Sequence, residues 1–111
     1  MVALAAGTVA LVPFPFSDLT PAKRRPALVL AVLEGDDRIL CQITSQQGHD
    51  RYSIELDDPD FTSGGLKQRS NLRPNRLFTA DTHVILYRVG HLATSKVDEV
   101  TEKVVEILRR G

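Results

Sequence analysis

The chain has 111 residues, 14 Lys+Arg against 14 Asp+Glu, and 42% hydrophobic residues. That length fits a single domain, 1–111, with enough apolar content for a core that needs no structural metal. Zero net charge excludes both a generally sticky basic protein and an acidic disordered tail, and the lone Cys41 excludes an internal disulfide and a four-cysteine metal site, which fits a reducing cytoplasm.

Residues 1–16 carry no charge, and the first basic residue is Lys23. A secretion signal wants a basic start, and Pro13 and Pro15 break the apolar run, so no export or membrane role is expected. Residues 8–16 are rich in Val and Phe and read as a strand. Its two prolines lie two apart and withhold their N–H donors on one flank, so they mark a sheet edge or a strand leaving the sheet. Residues 17–25 read as a polar loop. The run 26–33 (PALVLAVL) reads as a strand opened by Pro26, 34–37 as a turn, and 38–44 (RILCQIT) as the returning arm of a hairpin. Residues 45–51 form a polar loop, 52–56 a short strand, and 57–65 a Pro/Gly/Asp loop. Residues 66–81 are basic and extended around Leu72 and 77–79, and 84–89 (VILYRV) form a strand closed by Gly90. Thr94–Arg110 is the clear helix: Val97, Val100, Val104, Ile107 and Leu108 recur at steps of three and four. Ser95 with Asp98 resembles a capping pair, and Arg109 and Arg110 suit the negative end. Several short strands and one terminal helix predict a small, mostly antiparallel barrel or sandwich with the helix alongside.

The neutral total hides blocks of charge. Residues 1–33 set Lys23, Arg24 and Arg25 against Asp18, whereas 34–60 hold eight acids against Arg38 and Arg51. Residues 61–80 hold Lys67, Arg69, Arg73 and Arg76 with no acid, and 81–111 balance. The fold decides whether the two basic blocks meet.

Three segments carry candidate chemistry. Pro26 pushes Arg25 out of helical geometry and holds it extended at a strand mouth, where a guanidinium makes a forked, always-charged phosphate clamp. A solvated loop accounts for the run 23–25 as well. Thr44 and Ser45 end the next strand and offer hydroxyls, with Gln46 and Gln47 supplying amides, although hydroxyls at strand ends also serve turns. If 26–33 and 38–44 form a simple hairpin, Arg25 and Thr44 share one end of the sheet. The segment 67–76 combines Lys67, Arg69, Arg73 and Arg76 with Gln68, Asn71 and Asn75, a composition suited to a polyanion, or equally to a plain solvated loop. Of the histidines, His49 lies nearest this end, whereas His83 and His91 read as structural. No spacing matches a metal pair. Residues 57–60 (DDPD) read as a turn rather than a cation site, and Cys41, inside a strand, as buried and inert.

At these residues the sequence resembles the MazF/PemK (Kid) toxins of type II toxin–antitoxin systems. The matching stretches are VPFPFSD (12–18), KRRPALVL (23–30), ITS (43–45), RLFTAD (76–81) and RVGHL (88–92), followed by a closing helix. The resemblance spans about residues 7–108. It implies a mostly β (α+β) fold, a small SH3-like β-barrel of the CcdB/PemK-like type with a C-terminal α-helix, usually as a homodimer. It also implies a metal-independent, cofactor-free endoribonuclease of single-stranded RNA. In that reaction the ribose 2′-OH attacks the adjacent phosphate and leaves a 2′,3′-cyclic phosphate and a 5′-OH.

By position, the resemblance makes Arg25 and Thr44 the catalytic residues. Arg73 matches a further Arg of the PemK/Kid branch. Where that branch has an Asp the chain has Asn75, an amide that is neither acid nor base, and the first-loop acid of some MazF members has no match, Asp18 lying too early. RNA contacts are expected from Arg24, Ser45, Gln46, His49, Lys67, Arg69, Arg73, Asn75 and Arg76. The implied partners are RNA and an antitoxin whose C-terminal segment covers the RNA groove. The alternatives are a non-catalytic toxin on the same barrel, such as a CcdB-like topoisomerase poison, and an adaptor domain without toxicity.

Overall fold

The computed structural model describes residues 4–14, 23–45, 50–85 and 87–111, without the side chains of Phe14 and Lys23. The strands are β1 (Thr8–Phe14), β2 (Lys23–Val32), β3 (Asp37–Thr44), β4 (Ile54–Leu56), β5 (Phe61–Gly64), β6 (Ser70–Asp81) and β7 (Tyr87–Leu92). The helix α1 spans Thr94–Arg110. Among the described residues the seven strands form one antiparallel sheet in the order β4-β6-β3-β2-β1-β7-β5.

Period-two alternation gives the sheet two unlike faces. On one face Val9, Leu28, Cys41, Ile43 and Leu72 are fully buried, and α1 packs against them through Val97, Val100 and Val104. Burying each large aliphatic side chain there contributes about 1.5–3 kcal/mol, so this layer is the main core. The other face carries a smaller cluster of Val12, Ala27, Val29 and Leu40, flanked by Phe78, Ala80 and Ile85. Beyond that cluster, toward the end of the sheet where β2 begins and β3 ends, the same face turns polar.

Among the described residues β1 pairs with β7 through Leu11 and with β2 through Pro13 to Phe14, so Pro13 stands in an interior strand and not at a sheet edge; Pro15 lies outside the described residues. The β2–β3 hairpin forms as expected, turning at 33–36. The helix matches its expected span, yet its N-cap is Ala93 with no side-chain capping bond, so the Ser95–Asp98 cap is not made. Lys96 holds this end instead. Its ammonium donates to the Glu55 carbonyl (3.2 Å) and lies 3.1 Å from Glu99 and 3.6 Å from Asp60.

Several segments depart from the sequence reading: residues 23–25, read as loop, already belong to β2, and the strand read over 52–56 is β4, Ile54–Leu56. The expected loop 57–65 contains a 3-10 turn, Asp58–Asp60, followed by β5. Asp57 and Asp60 cap that turn reciprocally, so the turn reading of these acids holds. The β5 strand needs Gly64, which sits at φ +65° with the carbonyl of Val89 only 2.1 Å from where a Cβ would stand. Only glycine lets the two backbones approach this closely. The expected strand 84–89 begins later: Thr82–Val84 is a 3-10 turn capped by Asp81, and β7 starts at Tyr87.

Candidate functional site

Four ladders build the polar end of the second face. β3 pairs with β2 so that Ala27 lies opposite Gln42 and Leu28 opposite Cys41. The same register continued by two residues brings Arg25 opposite Thr44. Arg25 also pairs with Val12 of β1, Thr44 with Asn71 of β6, and Asn71 with Glu55 of β4. The result is one transverse row: Val12, Arg25, Thr44, Asn71, Glu55. With strands about 4.8 Å apart, Arg25 and Asn71 stand roughly 10 Å from each other across Thr44. The neighbouring row on the same face holds Ala27, Gln42 and Arg73, and Arg73 is a diagonal neighbour of Thr44, roughly 7–8 Å away.

The polar members of this face are well packed. Thr44, Asn71 and Gln42 are buried, and Arg25 is half-buried. Arg73 keeps about a quarter of its side chain exposed. Its Nη2 donates to Asp50 Oδ2 at 3.1 Å, while its Nε is buried and has no hydrogen-bond partner among the described residues. Burial pushes the Asp50 carboxyl up. The Ser53 hydroxyl, the Tyr52 and Ser53 amides and the Arg73 guanidinium outweigh it and hold Asp50 below the usual carboxylate range. A bulge follows Arg73, since Cys41 pairs with Leu77 but Gln42 with Arg73. The bulge takes up residues 74–76, with Pro74 buried and Asn75 and Arg76 exposed.

The expected residues therefore divide. Arg25, Thr44 and Arg73 come together. Arg24, one residue off the alternation, turns toward the opposite face and is exposed, and Ser45 is exposed just past the end of β3. Arg69 lies 3.3 Å from Asp57 and 3.7 Å from Glu55, drawn toward β4 rather than toward Thr44. Lys67 is exposed in the turn before β6. Gln46 and His49 lie outside the described residues. Asn71, which the sequence reading gave only as one amide of the 67–76 segment, and Gln42 and Asp50, which it did not name, are further members. The first two follow from period-two steps back from Arg73 and Thr44. Asp50 gives no local signal, because it meets its partner across 23 positions.

The charge blocks also cancel more directly than the sequence suggests. Acids from the 34–60 block sit on the basic segment itself: Asp50 on Arg73, and Glu55 and Asp57 on Arg69. At the far end of the β2–β3 hairpin, the exposed residues Asp36, Asp81 and His83 bring one potential ligand atom each to within 4.8 Å of the others. There the hydrogen bond that His83 donates to Asp81, then the charge of Asp81 and that of Asp36, hold His83 above the usual histidine range. Two hydrogen bonds with His83 in turn hold Asp81 low. Under the polar face, Cys41 is fully buried, and burial pushes its thiol up to about 12 despite a backbone hydrogen bond from Arg73.

Chemically, the face brings together two arginines, a buried threonine and two amide side chains. These are donors aimed from a rigid sheet, the arrangement that stabilises charge growing on phosphate oxygens. Fold and face together define a small, mostly antiparallel β-sheet protein with a C-terminal helix and a polar sheet face that carries two cations. A family model described as PemK-like, MazF-like toxin of type II toxin-antitoxin system matches residues 5–108, and the chain belongs to that family. The toxin MazF-mt6 of Mycobacterium tuberculosis has a similar fold, with TM-score 0.70 and 17% identity, covering 92% of this chain and 96% of that one. So does a MazE–MazF structure from Deinococcus radiodurans, at TM-score 0.74, 19% identity and 96% of each chain. A mycobacterial endoribonuclease in complex with its cognate antitoxin matches at TM-score 0.67 and 10% identity over 98% of each chain. At these identities the likeness is one of fold. No curated protein sequence matches. Among the described residues no helix is long and apolar enough to cross a membrane.

Proposed function

We propose that this toxin is a metal-independent endoribonuclease that cuts single-stranded RNA on the polar face of its sheet. The observation that carries the reading is the meeting of Arg25, Thr44 and Arg73 on one face, within a family of toxins. The ribose 2′-OH attacks the adjacent phosphorus and gives up its proton as the O2′–P bond forms. The P–O5′ bond breaks and the 5′ oxygen takes up a proton, leaving a 2′,3′-cyclic phosphate and a 5′-OH. Negative charge peaks on the phosphorane oxygens between these steps. Arg25 and Arg73 neutralise that charge and the Thr44 hydroxyl donates to it, each fixed donor being worth about 10²–10³ in rate. Arginine stays protonated, so neither guanidinium serves as the base.

The amides of Gln42, Asn71 and Asn75 are suited to base edges and sugars, the contacts that distinguish single-stranded RNA. Of the further RNA contacts expected, Ser45, Lys67 and Arg76 are exposed and guide the strand, whereas Arg24 turns to the opposite face and Arg69 is held toward Asp57 and Glu55. The toxin works as a homodimer in the cytoplasm. A cognate antitoxin silences it by laying its C-terminal segment along the groove, ordering on contact. The antitoxin-bound mycobacterial and Deinococcus relatives support a partner of this kind. The test is a panel of single-stranded RNAs incubated with purified protein in EDTA. Wild type cuts a subset, and Arg25→Ala and Thr44→Ala cut none. Growth arrest without RNA breaks would instead favour a toxin that binds and does not cut.

A further inference from the structure

The 50–53 loop makes an unusual contact with the groove. Asp50 spends its two carboxylate oxygens on different tasks. Oδ1 accepts the amides of Tyr52 and Ser53 and the Ser53 hydroxyl, each at 2.9 Å, and so folds the loop on itself. Oδ2 accepts Arg73 Nη2 at 3.1 Å. A carboxylate gripped by three donors on one oxygen cannot swing, so the other oxygen is a fixed point. An arginine has many rotatable bonds, and Arg73 stands on a strand beside a bulge, where nothing in the ladder itself sets the direction of its guanidinium.

We infer that Asp50 is a positioning residue that aims the Arg73 guanidinium at the scissile phosphate. With Nη2 held by a fixed carboxylate oxygen, the guanidinium has far fewer orientations open to it on the face that carries Arg25, Thr44 and Asn71. Asp50 touches no reacting atom. It acts by removing the search that a free Arg73 would make in each catalytic cycle. The opposite role, a carboxylate that masks Arg73 from RNA, predicts the opposite response to removing its charge. This inference rests on the proposed ribonuclease reading, and its test separates the two.

The informative variant is Asp50→Asn, which keeps an oxygen for the Tyr52 and Ser53 donors and removes the charged clamp. In single-turnover cleavage at saturating RNA, Asp50→Asn is expected to slow the cut roughly 10- to 100-fold, with Tm and RNA affinity close to wild type. In an Arg73→Ala background the same change costs nothing further. An equal loss in both backgrounds, or a loss that tracks a fall in Tm, would make Asp50 merely structural. Faster cleavage would make it a mask. A second readout does not depend on cleavage: the Arg73 Nε–H resonance, assigned by its loss in Arg73→Ala, should be sharp and slow to exchange in wild type and averaged in Asp50→Asn. An unchanged resonance overturns the clamp. Wild-type protein that leaves RNA intact while its resonance still depends on Asp50 overturns the ribonuclease reading and keeps the clamp.

Discussion

Replacing Arg25 by alanine separates catalysis from binding. Arg25 is half-buried at the start of β2, one strand spacing from Thr44, so on the proposed mechanism its removal takes one donor from the reacting phosphate and leaves the ladders intact. A donor of that kind is worth about 10²–10³ in rate, or about 2.7–4 kcal/mol of transition-state stabilisation. As a phosphate contact it is worth much less. Each contact on a single strand adds about 0.7 to the salt slope, so over a fourfold change in salt one contact changes affinity by about threefold. Single-turnover cleavage of a fluorogenic RNA in EDTA should therefore fall by roughly 100-fold or more in Arg25→Ala. The Kd for a 2′-deoxy analogue, read by anisotropy across salt, should rise only a few-fold and lose about 0.7 of slope. Equal losses in rate and affinity would reduce Arg25 to an anchor. An unchanged rate would remove it from the site, and with it the argument from register.

Three further outcomes follow from the same structure. Cys41, its thiol pushed up to about 12 by burial, should resist alkylation in native protein at pH 8 and react at once in denaturant; fast labelling of the native state would contradict the buried strand. His83 is raised by Asp81, so its contribution to stability is complete below the ordinary histidine pKa of about 6.5 and is lost as pH rises through its higher folded value. Asp81 is held low, so its share is present above the ordinary carboxylate range and is lost as pH falls through its folded value. An NMR titration should find His83 losing its proton above the ordinary histidine range, with Asp81→Asn returning it toward that range; a wild-type His83 that titrates near the ordinary value of about 6.5 would break the pair. Gly64→Ala should cost about 2–4 kcal/mol, from the left-handed conformation plus the forced parting of β5 and β7, lowering Tm by roughly 10 °C. A Tm within a degree or two of wild type would show that the strands do not meet this closely.

The sequence disclosed those parts of the molecule that rest on local rules. The α1 stripe of Val97, Val100 and Val104 follows from helical period and faces the core as read. The hairpin from Pro26 to Thr44 follows from two apolar runs around a Glu-Gly-Asp turn, and it brings Arg25 and Thr44 to one end. What stayed hidden depends on contacts between distant segments. β5, with the sequence FTSG, has no alternation to detect and exists because two glycines let it lie against β7. Ala93 serves as an N-cap because Lys96 anchors the helix to β4 and to the Asp58–Asp60 turn. The charge blocks were visible, but not that Asp50 would settle on Arg73 and Glu55 with Asp57 on Arg69. Among the described residues, the bulge after Arg73 and the folded loop at 50–53 set which cations stay with the polar face.

The central claim is a reaction, and its products carry its signature. RNA cut by wild type in EDTA should be mapped at both ends, with Arg25→Ala as the control. The account predicts discrete cuts whose upstream fragments end in a 2′,3′-cyclic phosphate and whose downstream fragments begin with a 5′-OH, all absent in the variant. Fragments with 5′-phosphates, cutting that needs a divalent cation, or equal cutting by Arg25→Ala would contradict it.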